Sequence, residues 1–272
     1  MYRAPLLLRT RRRFSPGAAV AAGCFVPASP PRPAMASADP PPRPLPLPRG
    51  SPQGLPHAAG AAAVGAAAGA LGSGGLVALP TDTVYGVACL AQDSRALRAV
   101  YRLKGRARDK PLAICLADVE HVYRYCHVAV PDQLLRDLLP GPVTVVLERS
   151  EALNKDLNPF TQLVGVRIPS HWFIRELARV CAAPLALTSA NISEGASSLT
   201  VTEFQELWPH LSLVIDGGPT GDLHSPECRL GSTVVDLSVP GKFKVIRTGC
   251  ALTQTIEILV AKYGLTAELP GL

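Results

Sequence analysis

Residues 76–91 read LVALPTDTVYGVACLA. An apolar run of strand composition stops at Pro80, passes through Thr81, Asp82 and Thr83, and resumes after Tyr85 and Gly86. Hydroxyls and carboxylates set inside a core cost free energy unless they find partners. The interruption therefore predicts one of two things: a tight turn that bonds to itself, or a mouth that receives a polar ligand.

The same pattern recurs downstream. Short apolar, β-branched runs bounded by Gly, Pro, Asp or Ser stand at 76–80, 84–91, 112–117, 143–148, 164–168, 185–188, 212–216, 232–237 and 243–247, and each reads as a strand. Helical patterns lie between several of them. Asp93 and Ser94 can cap a helix with Leu97, Val100, Tyr101 and Lys104 on one face; Trp172, Leu177 and Val180 mark another. Thr202, Glu203, Phe204 and Gln205 form a capping box for a third, and Ile256, Leu259, Val260 and Tyr263 outline the last. Strands alternating with helices predict a single-domain α/β fold: a twisted, mixed to parallel open sheet flanked by helices, with a central concave site. Ligands of such sheets gather where loops leave strand ends, which directs attention to 81–86, 104–110, 140–144, 167–171, 188–198 and 217–232.

The chain divides by composition. Residues 1–56 carry 14 of the 27 prolines, and residues 1–50 hold eight arginines against one acid, Asp39. Subtracting these from the 27 basic and 21 acidic residues leaves 19 and 20 in 51–272, so the basicity belongs to the leader. A near-neutral body lacks the basic face that a nonspecific nucleic-acid binder needs. The leader's arginine, alanine and leucine with no acid before Asp39 predict a mitochondrial transit peptide followed by a disordered linker, residues 1–56. On that reading 57–255 is the main folded domain and 256–272 a C-terminal helix and tail. Residues 57–75, HAAGAAAVGAAAGALGSGG, read as a frayed first helix with a glycine stop or as low-complexity linker. No window reaches ~18 uninterrupted apolar residues, which predicts no transmembrane helix. The seven cysteines form no CxxC and the six histidines no HExxH, so neither a structural zinc site nor a disulfide framework is expected.

Several polar breaks carry chemistry. Lys104, Arg106, Arg108 and Lys110 place four cations in seven residues, either a solvated charge run or a clamp for polyphosphate. Arg167 stands in the apolar strand VGVRIP, where a desolvated fork needs a carboxylate or phosphate, an internal acid serving as well as a ligand. LTSANIS, residues 187–193, clusters small donors and acceptors after another strand, as an Asx-type turn or an anion nest would. A glycine-rich loop at 216–222, the strand entry GSTVVD at 231–236 and Arg247 in IRTG complete the set. None of these is a Walker loop, GxGxxG, GxSxG or kinase signature.

In order along the chain, PTDTVYG, KxR, KPL, PGPVT, VRIP, SANxS, GSTVVD and IRTG resemble the YrdC-like threonylcarbamoyl-AMP synthase family over about residues 60–250, in its short form without an additional C-terminal domain. The resemblance implies an enzyme, a nucleotidyltransferase, that joins L-threonine, bicarbonate and ATP into L-threonylcarbamoyladenylate and pyrophosphate. That product serves threonylcarbamoyladenosine formation beside the anticodon of tRNA, through hand-off to the KEOPS complex or a mitochondrial threonylcarbamoyl transferase. It also implies residue roles. Lys104 and Arg106 are the catalytic cations. Thr83, Arg167, Leu187, Ser232 and Cys115 meet threonine, with cysteine standing where many microbial relatives have histidine. Arg106, Lys110, Ser189, Asn191, Ser197 and Arg247 meet ATP, whose Mg²⁺ arrives with the phosphates and takes no protein ligand. A location in cytoplasm and mitochondrion follows, with a weak tRNA contact as a further expectation. Two rivals stand beside this reading. One is a non-catalytic module binding tRNA or double-stranded RNA; the other is a different carbamoyl-transfer enzyme on the same fold.

Overall fold

The computed structural model describes residues 40–48, 58–105, 111–191 and 195–268. Twelve strands are present among them: β1 (Leu45–Pro46), β2 (Val77–Leu79), β3 (Gly86–Leu90), β4 (Ala113–Cys115), β5 (Cys126–His127), β6 (Val143–Arg149), β7 (Leu163–Arg167), β8 (Leu185–Ser189), β9 (Leu213–Asp216), β10 (Thr233–Asp236), β11 (Lys242–Arg247) and β12 (Thr266–Ala267). They run in the order β1-β9-β2-β3-β8-β4-β7-β6-β10-β11-β12, with β5 paired to β6 off this path. Parallel pairs (β1 with β9, β2 with β9, β4 with β7, β6 with β10, β11 with β12) interleave with antiparallel ones, so the sheet is mixed, as expected.

Helices cover both faces because the central strands are apolar on both sides. On one face α1 (Ala58–Gly72) and α5 (Trp172–Cys181) bring Ala63, Ala67, Leu71, Phe173, Ile174 and Leu177 against Val77, Leu79, Ala88, Cys115 and Leu185. On the other, α2 (Ser94–Leu103) lays Ala96, Leu97, Val100 and Tyr101 over Ala78, Val87, Cys89 and Ile114. The strands thus alternate Val77, Ala78, Leu79 between the two layers, the period of two that extended chain imposes. Complete burial of each larger side chain contributes about 1.5–3 kcal/mol. α2 begins where the sequence predicts, Asp93 accepting from the backbone N–H groups of Arg95 and Ala96 at 2.8 and 3.1 Å.

Four expectations differ from the structure. Thr202–Gln205 does not open an α-helix: residues Val201–His210 form 3₁₀ turns, kinked at Phe204 (φ −130°, ψ 31°) with Pro209 inside. Glu203, within these turns, binds Arg229 at 2.5 Å. On α5 the buried stripe is Phe173, Ile174, Leu177 and Ala178, while Val180 is exposed. The proline-rich leader contributes β1 to the sheet edge, the position that prolines tolerate. The last helical pattern splits into α6 (Leu252–Glu257) and a π turn at Ile258–Lys262; Leu259 and Leu265 join the core, so the fold continues past 255. Residues 1–39, where the transit-peptide expectation falls, lie outside the described residues. No helix among the described residues is long and apolar enough to cross a membrane.

Candidate active site

The sheet register builds the site. Arg167 on β7 stands beside Thr144 on β6, and Thr144 beside Val234 on β10. One step along, Ala113, Gly165, Val146 and Asp236 line up across β4, β7, β6 and β10. Cross-strand partners share a face, and this is the face that α1 and α5 cover over Ala88, Cys115 and Leu185. Beyond those residues a cavity of about 350 Å³ opens over Leu187, Ala113, Gly165, Thr144 and Val234. Its floor is low because Ala113 and Gly165 are small. A Cβ on Gly165 would lie 2.9 Å from the Thr144 methyl, and one on Gly86 2.8 Å from Leu187 Cδ1.

The polar break of residues 81–83 folds over one end of this cavity and is both a self-bonded turn and a mouth. Thr81 Oγ1 donates to the Val84 carbonyl at 2.7 Å and accepts from the N–H groups of Thr83 and Val84. Arg167 reaches into the same turn. Its Nη2 donates to Asp82 Oδ1 and Thr83 Oγ1, both at 2.5 Å, and to Thr81 Oγ1 at 3.3 Å. Asp82 Oδ2 accepts the Ser170 N–H at 2.8 Å, so the acid ties the loop to the end of β7. The ion pair is nearly dry, with side-chain exposures of 7% and 9%. Arg167 Nε is buried with no hydrogen-bond partner among the described residues.

Ser232 and Thr144 share a hydroxyl contact at 2.8 Å, and Arg247 Nη2 donates to the Ser232 carbonyl at 2.8 Å and its hydroxyl at 3.2 Å. Gly249 explains its place in IRTG: a Cβ there would fall 2.3 Å from the Ser232 carbonyl carbon and the Thr233 nitrogen. At the opposite edge, Lys104, next after α2, is 2% exposed. Its Nζ donates to the Ser189 carbonyl at 2.9 Å, to Asn191 Oδ1 at 2.8 Å and to the Asn191 carbonyl. Ser189 Oγ in turn donates to Asn191 Oδ1 at 2.5 Å. A charged ammonium therefore underlies the SAN turn.

Tyr85 anchors the glycine loop. Fully buried against Phe204, it donates its hydroxyl to the Gly218 carbonyl at 2.7 Å and accepts the Gly217 N–H at 3.0 Å. Burial pushes its phenol up to about 12. Because the folded-state value is raised, the neutral phenol's contribution is complete below pH ~10 and is lost as pH climbs from there towards 12. The rise from an ordinary phenol to about 12 corresponds to roughly 2–3 kcal/mol. Tyr85→Phe should cost about 1–2 kcal/mol at pH 8 and flatten part of the alkaline decline, read from melting temperatures of both proteins between pH 8 and 11. An identical slope in the variant would remove Tyr85 as a source of that decline.

Of the residues expected in the site, Arg167, Leu187, Ser189, Ser197, Ser232 and Arg247 line the cavity. Thr83 enters through its bond to Arg167, and Lys104 and Asn191 stand directly behind Ser189. Cys115 is the exception. It is cross-strand to Arg167 but lies under the helices, its exposure 0% and its thiol pushed by burial up to about 12. Among the described residues its Sγ reaches only the Leu116 carbonyl, at 3.9 Å, and it does not line the cavity. Arg106 and Lys110 lie outside the described residues. The sequence reading did not assign Thr81, Thr144, Tyr85 or Asp236; two-residue spacing from Ser232 along GSTVVD puts Asp236 on the same face and could have found it. Among the described residues no three His, Cys, Asp or Glu side chains converge to hold a metal.

The comparisons agree with this architecture. Residues 69–249 match the Sua5/YciO/YrdC family model, described as telomere recombination. The threonylcarbamoyl-AMP synthase of Homo sapiens is 70% identical over 195 residues, 72% of this chain and 70% of that protein; the Mus musculus protein of the same name is 69% identical over equal shares. Among solved structures, Pyrococcus abyssi Sua5 complexed with L-threonine superposes with a TM-score of 0.65 at 32% identity, covering 75% of this chain and 58% of that one. Escherichia coli YciO, at 22% identity and a TM-score of 0.63, covers 72% of this chain and 91% of its own and shares the fold. With a family model spanning most of the sheet and cavity, and relatives near 70% identity, the chain belongs to the Sua5/YciO/YrdC family.

Proposed function

We infer that the chain is a threonylcarbamoyl-AMP synthase, forming L-threonylcarbamoyladenylate and pyrophosphate from L-threonine, bicarbonate and ATP. The observation that carries this reading is one sheet face that presents Arg167 and a hydroxyl cluster at one end of a cavity and a cation-backed SAN turn at the other. Threonine's carboxylate would sit on Arg167. Its Nη2 is engaged by Asp82, and Nη1, which makes no hydrogen bond among the described residues, offers the second donor. Thr83 and Ser232 would hydrogen-bond the amino acid, with Leu187 against its apolar part. ATP would lie towards Ser189, Asn191, Ser197 and Arg247, its phosphates neutralised by Lys104, Arg106 and Lys110.

The reaction runs in two steps. Threonine's amine takes up bicarbonate with loss of water to give the carbamate, and a carbamate oxygen then attacks the α-phosphorus as pyrophosphate leaves. The attacking group is already ionised, so no strong base is required; positioning and charge stabilisation carry the rate. A Mg²⁺ ion carried by the phosphates would supply further charge neutralisation. Hand-off of the labile product to a KEOPS-type or mitochondrial transferase, a cytoplasmic and a mitochondrial pool, and cleavage of an N-terminal transit segment belong to the same proposal.

The reading is tested by pyrophosphate release from the full chain with ATP and Mg²⁺. Release that requires both threonine and bicarbonate is expected. Folded protein that releases none, yet binds tRNA with a steep salt dependence, would favour the RNA-module reading instead.

A further inference from the structure

One acidic side chain in the cavity has no part in the mechanism above. Asp236, at the end of GSTVVD, lines the pocket beside Val146, Val234 and Ile246. Its Oδ1 accepts the Ser238 N–H at 2.9 Å; no partner to its second oxygen occurs among the described residues. Lys244 is its cross-strand neighbour on β11, yet no ion pair among the described residues involves either side chain. A carboxylate accepts hydrogen bonds and donates none when ionised. It repels phosphates and the substrate carboxylate alike, so it belongs beside a hydroxyl or amino donor of the substrates.

Distance selects which donor. Arg167 and Asp236 are two strand spacings and one two-residue step apart in the register, roughly 12 Å between main-chain positions. From the threonine carboxylate carbon to the ribose C3′ of the adenylate there are nine bonds, through Cα, nitrogen, carbamate, phosphorus, O5′, C5′ and C4′. At about 1.5 Å per bond in a zigzag, that path spans roughly 11 Å. The threonine hydroxyl and carbamate N–H fall well short of Asp236, and the adenine amino group lies about 6 Å beyond. The apolar neighbours suit the nonpolar faces of the sugar and base, and carboxylates bind ribose hydroxyls in other nucleotide sites.

We propose that Asp236 reads the ribose 2′,3′-diol of the nucleotide and so sets the enzyme's preference for ribonucleotides. The assignment rests on the synthase reading for the orientation of the ligand. Hydrogen bonds to a charged acceptor of this kind correspond to roughly 10- to 100-fold in affinity.

The test measures binding of ATP, 2′-deoxyATP and 3′-deoxyATP to the full chain by calorimetry, for wild type, Asp236→Ala and Asp236→Asn, with wild-type turnover assayed in parallel. Wild type should bind at least one deoxynucleotide about tenfold or more weakly than ATP. Asp236→Ala should bring the ratio to within about twofold, with threonine affinity unchanged. Asp236→Asn, which keeps an acceptor for Ser238, guards against a folding defect and should reduce the ratio partway. Equal binding of all three nucleotides by wild type, or an unchanged ratio in either folded variant, overturns the proposal. Normal discrimination without turnover would instead overturn the synthase reading, while the nucleotide ratio still decides the role of Asp236.

Discussion

Arg167→Ala should raise the threonine requirement at least about 100-fold while ATP affinity changes by less than about threefold, because two charge-assisted hydrogen bonds to a carboxylate are each worth roughly 1.5–3 kcal/mol. The same change has a second consequence. Asp82 is left almost fully buried without its cation, and breaking such a pair costs about 3–5 kcal/mol of stability. The two effects separate in the double variant Asp82→Asn, Arg167→Ala. Removing the stranded charge should restore much of the melting temperature, whereas threonine binding should stay lost. If the double variant regains threonine affinity, Arg167 serves the fold and not the substrate. A parallel loss of ATP and threonine binding in a folded single variant would say the same.

Lys104→Ala is expected to lower kcat/KM for ATP by about 10²–10³: its N–H groups are spent on Ser189 and Asn191, so what is lost is the fixed positive charge behind the SAN turn, beside developing negative charge. The structure adds a reason why arginine will not substitute. Lys104 is 2% exposed and its ammonium is gathered by two carbonyls and the Asn191 amide oxygen, a compact space for a point charge that a planar guanidinium does not fit. Lys104→Arg should therefore remain impaired. Threonine affinity, measured by calorimetry without nucleotide, should stay within about threefold of wild type in both variants, since Arg167 and the 81–83 turn bond independently of Lys104. Full activity of Lys104→Ala would reduce the residue to a support for the SAN turn.

The sheet was legible because its central strands are buried on two sides. A run such as 185–189 must be apolar throughout, and only its ends admit polar residues. The same logic exposed Arg167 and the 81–83 break, whose mutual hydrogen bonds answer why polar groups interrupt a core. What escaped was set by tertiary pairing. The two-residue strands β5 and β12 carry too little pattern to read, and β1 exists only because the edge of β9 is there to receive it. The Thr202–Gln205 signature opens no α-helix, because the backbone kinks at Phe204 and Pro209 follows within the same 3₁₀ turns. Cys115 was drawn to the site by its place in the motif order, yet β4 turns it beneath the α1 and α5 layer together with Leu185. Asp236 was missed because GSTVVD was read as a strand entry and its two-residue alternation of faces was not followed to the end.

The most direct test of the central claim supplies ¹³C-bicarbonate with ATP and threonine and follows the adenylate product by mass spectrometry. A threonine- and carbamoyl-containing adenylate that carries the label, formed with one pyrophosphate per product, is the predicted result. Pyrophosphate released together with an unlabelled threonyl adenylate would contradict it, since the cavity would then activate the amino acid without carbamoylating it.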